Sequence, residues 1–434
     1  MKLMLPLCLF SFLVLESCNS KNPDADNIKQ SPIHFVELPD DLTKIPSESF
    51  EPFLAMIGNS PLIGITEGTH GMNEPLDFRN ELIKFLVTEK RIDVVAIESG
   101  ILESRIVHDY INGSNGDIDT VVKYGLMPGF NELPQNKTLI EWLRNYNEND
   151  SNVHKVKFYG FDIPGIPTNP WNEDIAIPLS ETLNYLKKVD NENWKLYSNK
   201  LSFYFEFLHI NPTPDDTSKE YRDLSEVKKK ELTSMIDELI KLFKSNKSAY
   251  IQNSSNEDFD WGHRAVKSSK WMDDFLLAMG GEPDYSYNNR EQAMFDNLEW
   301  IMNREKGKNV LLFAHLAHLT KDFSLLDENS KDTRPKKLFG EYIGEKFGDE
   351  YLVVGNFFSE LYYPKDTVSV SQEGLEPKFV RDNIQNYYMK LDKSDSTFNR
   401  GWKYGLRPDE TNWYMNPAIG IDIIFYTKTQ TYID

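Results

Sequence analysis

Seven ionisable residues have the types and spacing of a chemical site. Glu67 and His70 stand three residues apart in the run Gly64-Ile65-Thr66-Glu67-Gly68-Thr69-His70-Gly71-Met72-Asn73-Glu74. A carboxylate and an imidazole on one tight turn can share a proton. Glu98 ends the apolar run Val94-Val95-Ala96-Ile97, Asp162 ends Phe158-Tyr159-Gly160-Phe161, and His315 ends Val310-Leu311-Leu312-Phe313-Ala314, with His318 three residues on. Arg79 follows the Glu67–His70 turn among apolar neighbours, where a guanidinium could hold a carboxylate or an oxyanion. The plainer reading of Arg79 is a salt bridge to Glu74 or Glu98, and that of Asp162 is a loop or capping residue. A carboxylate at the end of a run as apolar as that before Glu98 needs a partner if it is buried.

These residue types permit three chemistries. A histidine oriented by a carboxylate can take a proton from water, which is general-base hydrolysis. Two histidines and a carboxylate can hold zinc and activate water through the metal. Histidines can also ligate haem in a protein that binds and catalyses nothing, and the same crevice could take a glycan. A Gly-x-Ser-x-Gly elbow, a His-Glu-x-x-His helix, a cysteine cluster and a Gly-x-Gly-x-x-Gly after a strand are all missing from the sequence, which argues against the commonest serine, zinc and dinucleotide designs. His315 and His318 at i, i+3 would chelate a metal only from one helix face. His34, His108, His154, His209 and His263 have no supporting context.

The elements that position these groups follow from periodicity. Short runs rich in Val, Ile and Phe at 62–66, 93–97, 156–161, 310–314, 351–354 and 421–426 predict buried strands, and segments of helical spacing separate most of them. Such alternation predicts an α/β fold with a mainly parallel sheet covered by helices on both faces. Ligands bind such sheets beyond the carboxyl ends of the strands, which is where Glu67, Glu98, Asp162 and His315 all fall. Asn73-Glu74-Pro75 starts a helix with Leu76, Leu82, Ile83, Phe85 and Leu86 as its apolar stripe. Residues 178–306 are Lys- and Glu-rich with helical spacing. They predict a helical insertion packed on the sheet and forming one wall of the cleft. The loop 364–377 reads as polar.

The net charge of −20 over 434 residues repels nucleic acid and anionic membrane. Residues 1–17 pair Lys2 with an apolar run to Leu15, shorter than the ~18–20 residues of a spanning helix, and resemble a lipoprotein signal peptide. Leu15-Glu16-Ser17-Cys18 resembles a lipobox with Cys18 as the lipidated N-terminus, although Glu16 is atypical there. Of the two cysteines, Cys8 and Cys18, only Cys18 would remain, so no internal disulfide is expected. Residues 18–32 read as a polar tether and 33–434 as the domain. The expected location is outside the cytoplasm of a bacterium, on the membrane through a lipid at Cys18.

Taken together, the motifs resemble the erythromycin esterase family. Ile65-Thr66-Glu67-Gly68-Thr69-His70-Gly71 with Glu74 and Arg79 is similar to the family's Leu-Gly-Glu-Ala-Thr-His-Gly signature. Glu98, Tyr159-Gly160-Phe161-Asp162, the Arg290 to Asn297 segment and Phe313-Ala314-His315-Leu316-Ala317-His318 follow in the family's order. The resemblance implies an esterase of carboxylic esters or macrolide lactones that works without metal or cofactor. It implies catalytic roles for Glu67, His70, Arg79, Glu98 and His315, and substrate contacts from His318, Asp162 and Phe313. His70 is the expected base. Thr66, Phe313 and Leu316 depart from the family's Gly, Trp and Asn, which leads us to expect a changed cleft lining.

Overall fold

The computed structural model describes residues 35–165, 175–208, 219–279, 284–325, 337–404 and 413–433. The signal, the tether and Cys18 lie outside them. The described residues contain twelve strands. They are β1 (Phe35–Leu38), β2 (Leu62–Glu67), β3 (Val94–Gly100), β4 (Lys157–Asp162), β5 (Val310–His315), β6 (Ser324–Leu325), β7 (Tyr351–Tyr363), β8 (Asp366–Ser369), β9 (Asn386–Lys390), β10 (Trp402–Tyr404), β11 (Trp413–Met415) and β12 (Ile423–Thr431).

The main sheet runs β1-β9-β12-β7-β2-β5-β3-β4, with β8 paired to β7. All five pairings from β12 to β4 are parallel, and only β9, β1 and β8 join antiparallel. The expected mainly parallel α/β sheet is therefore present. All six residues of β2 and all seven of β3 are buried, because side chains alternate between two covered faces. Ile63, Ile65, Val95 and Ile97 pack on one side against Leu76, Leu82, Ile83 and Leu86 of the helix Asn73–Thr88. Leu62, Val94 and Ala96 pack on the other against Met294, Leu298 and Phe339.

The insertion is helical as expected, with helices Ile177–Val189, Asn191–Phe205, Glu226–Ser245, Lys247–Gln252, Asn256–Met279 and Asp284–Arg304. Ser225 caps one of them by accepting from the Lys228 N–H at 3.4 Å, and Leu232, Ile236, Leu239 and Phe243 form its buried stripe. These helices enclose a core of their own, with Leu186, Leu201, Phe243 and Val266 inside it. A cavity of about 180 Å³ lies between this bundle and the helix Arg105–Ile111, away from the strand ends.

Two local features differ from expectation. Residues 364–377 include β8, paired antiparallel to β7, so the first part of the polar stretch closes a hairpin and only the part after Ser369 runs on without strand. The register of β3 against β4 shifts between Ile97↔Gly160 and Gly100↔Asp162, so two residues of β3, Glu98 and Ser99, oppose one of β4. Such a bulge re-aims a side chain. It also brings backbone close to backbone, since a methyl group added at Gly160 would collide with the Ser99 and Gly100 carbonyl oxygens.

Candidate active site

Parallel pairing carries Glu67, Glu98, Asp162 and His315 to one edge of the sheet. Glu67 and His315 are register partners at the ends of β2 and β5. The edge holds three histidines in three different states.

His70 lies on the turn after β2. Its Nδ1 is 2.7 Å from Glu67 Oε1, its side chain is 52% exposed, and Nε2 has no hydrogen-bond partner among the described residues. Partial desolvation opposes ionisation of His70, but the Glu67 carboxylate, with Glu98 further off, outweighs it and raises the pKa. Phe130 and His315 flank the ring at 5.6 and 5.2 Å.

His315 is committed at both nitrogens. Nδ1 accepts from the Ala317 N–H at 3.2 Å, capping the short helix Leu316–Leu319. That leaves Nε2 as the protonated nitrogen, which donates to the Gly68 carbonyl at 3.0 Å. Burial, then the neighbouring His70 and His318, lowers its pKa to about 3. His315 is a neutral brace between two strand ends.

His318 lies in the same short helix, its ring 6.5 Å from that of His315 and turned 75° to it. Its Nδ1 is 2.7 Å from Glu291 Oε1 and its Nε2 is 3.3 Å from Glu98 Oε1. Burial lowers its pKa, but the two carboxylates outweigh that and raise it to about 10. Among the described residues no group of three His, Cys, Asp or Glu side chains is arranged to hold a metal ion.

Arg290, from the helix Asp284–Arg304, joins these groups. Its Nε reaches both Asp162 oxygens at 3.2 and 3.1 Å, and its Nη2 reaches Asp162 Oδ2 at 2.6 Å and Glu98 Oε1 at 2.9 Å. Glu98 Oε2 accepts the His315 N–H at 2.9 Å. Burial works to raise the Glu98 pKa, yet His318, His70 and Arg290 hold it well below the usual carboxylate range. The last helix of the insertion thus closes one side of the site.

Some expected roles change. Phe313 is fully buried and does not line the cleft. Its ring lies 4.4 Å from the Arg79 guanidinium carbon, a cation–π contact. Arg79 is itself fully buried and pairs with neither Glu74 nor Glu98. Its Nε and Nη2 donate to Asn80 Oδ1 at 3.1 and 2.8 Å, while Nη1 and Glu67 Oε2 are both buried without a hydrogen-bond partner. Burial lowers the Arg79 pKa to about 10, so it remains a cation whose charge acts on Glu67. Asp162 and His318 are occupied by protein partners. Thr66 accepts the Asn356 N–H at 2.9 Å and donates to the Val354 carbonyl at 3.1 Å, stitching β2 to β7, and Leu316 is core.

Three residues escaped the sequence reading. Arg290 stood in a quoted motif without a role, and Glu291 stood beside it. Asn356 accepts the Gly68 N–H at 3.2 Å and so fixes the turn. It lies in β7 beyond the expected end of that strand, and no spacing pattern marks it.

Comparisons with known proteins bear on the family and the fold. The erythromycin esterase family matches residues 87–364, a span that holds Glu98, Asp162, Arg290, Glu291, His315 and His318 and begins after Arg79. The chain is 22% identical over 317 residues to erythromycin esterase type II of Escherichia coli, covering 71% of each protein. Among solved structures it is similar to a Bacillus cereus protein (TM-score 0.75, 18% identity, 92% of this chain and 96% of that one). It is also similar to a succinoglycan biosynthesis protein (TM-score 0.72, 18% identity, 92% and 95%). A third likeness is to a histidine-to-asparagine mutant of the erythromycin esterase EreC in its open conformation (TM-score 0.67, 13% identity, 93% and 99%). With its family matched over more than half its length, the chain belongs to the erythromycin esterase family and is an esterase.

Proposed function

We propose that the protein hydrolyses a carboxylic ester, with a macrolide lactone as the first substrate to test, by general-base catalysis at His70 and without a metal. One observation carries this reading: among the described residues at this edge only His70 offers a free ring nitrogen, since His315 is locked neutral and His318 is locked between carboxylates. Glu67 holds Nδ1–H and leaves Nε2 to take a proton from water. The resulting hydroxide attacks the ester carbonyl carbon and forms the tetrahedral oxyanion. As the carbon–oxygen bond breaks, the His70 imidazolium returns its proton to the departing alkoxide. Such a base contributes about 10²–10⁴ in rate. Arg79 supports Glu67 from below rather than touching substrate. Metal or haem ligation by His315 or His318 would first have to break the contacts that hold them.

The experiment is incubation of the purified protein with erythromycin, followed by mass spectrometry. A product heavier by one water supports the macrolide reading. Its absence, with hydrolysis of simpler esters retained, moves the substrate to another ester. Absence of both removes the hydrolytic reading. We further propose that the enzyme is exported and held on the membrane by a lipid at Cys18. A Cys18→Ala variant that stays in the membrane fraction would refute this.

A further inference from the structure

The helix Asp284–Arg304 places two consecutive residues, Arg290 and Glu291, into the ionic cluster behind the site, and Glu291 has so far no role. Its carboxylate is fully buried. Oε2 accepts the Phe339 N–H at 2.8 Å and Oε1 lies 2.7 Å from His318 Nδ1. Neither atom forms an aligned hydrogen bond, so the contact is a close ion pair, and a bare nitrogen lone pair at that distance would be repelled by the carboxylate.

The opposite ring nitrogen faces Glu98 Oε1 at 3.3 Å and Arg290 Nη1 at 3.4 Å. Charge decides between them. The cluster buries the three carboxylates of Glu98, Asp162 and Glu291 against one guanidinium, Arg290, and buried charge needs compensation. A second cation at His318 leaves the group one charge short instead of two. The other ionisable groups near the ring are His315, neutral by its hydrogen bonds, and His70, whose charge is felt at Glu98.

We propose that Glu291 is a positioning residue of this site, holding His318 as a permanent, doubly protonated pin between the insertion helix and the sheet edge. The pin keeps Glu98 in place, and Glu98 in turn holds the backbone of His315 against the turn that carries His70. His318 on this account exchanges no proton during turnover. The inference rests on the site described above, but not on the identity of the substrate.

Nitrogen NMR of histidine-labelled protein tests it, with the His318 signals assigned by their loss in His318→Gln. In the wild type both His318 ring nitrogens should carry protons from pH 6 to pH 9. A bare nitrogen, or a titration within that range, overturns the proposal whatever the enzyme hydrolyses. In Glu291→Gln the ring should begin to titrate inside that range, and Glu291→Asp should restore the two-proton signature. If Glu291→Gln folds and the signals do not change, Glu291 is not the holder. On an ester that the wild type cleaves, Glu291→Gln should lower kcat by about tenfold or more with KM little altered.

Discussion

The Glu67–His70 turn and the Asp162–Arg290–Glu98–His318–Glu291 cluster share one sheet edge and are built in opposite ways. The turn holds a half-exposed ring by one contact and leaves its far nitrogen free. The cluster is buried, and its members are held through several contacts between sheet and insertion. A base must give and take a proton in every cycle, so it needs a free lone pair and access to water. A group that supplies a fixed field needs the reverse. Ionisable residue types alone do not distinguish a reacting group from a holding one; the number of committed lone pairs does.

That contrast can be broken at either end. His70→Ala should lower hydrolysis by about 10²–10⁴ while the thermal midpoint stays near that of the wild type; near-normal turnover would move the base elsewhere. Arg290→Met should do the reverse first. It strips the cation from Asp162 and Glu98 and should cost about 3–5 kcal/mol of stability by denaturant unfolding. A loss under about 1 kcal/mol would mean that the cluster does not hold the edge.

The pH dependence sharpens the same line. His70 must be neutral to act, and its pKa is raised above 6.5, so the rate should fall about tenfold per pH unit below a limb that lies above 6.5. Stability runs the other way. The contribution from the Glu67–His70 pair is full below the unfolded value of 6.5 and is lost as pH rises through the folded value. Glu98 is depressed, so its contribution is present above about 4.5 and fades in acid. A rate limb at or below 6.5 would place the titrating base outside this pair. The smallest effect belongs to Phe313→Leu. It should remove about 0.5–2 kcal/mol of cation–π stabilisation under Arg79 and leave KM unchanged; a shifted KM would return Phe313 to the cleft.

Much of this is legible in the sequence. The strand runs and their polar ends located the edge, because period and burial are local properties of sequence. What the sequence did not reveal is partnership. Arg290 meets Glu98 across 192 residues and Asp162 across 128, and no local pattern encodes such a distance. The contact of Phe313 with Arg79 is hidden for a related reason. In a strand buried on both faces, alternation cannot tell which neighbour a ring will cover, and the ring covers Arg79. Asn356 was missed because β7 continues to Tyr363, well past its most apolar stretch.

The bulge at Glu98 and Ser99 has a consequence for how this protein can drift. The shape of the edge depends on position 160, where the opposing backbone leaves no room for even a methyl group. A library that samples every substitution should therefore find Gly160 as intolerant as any residue of the site, although it has no side chain and touches no substrate. Selection for this chemistry would then be recorded partly in an atom that must stay absent.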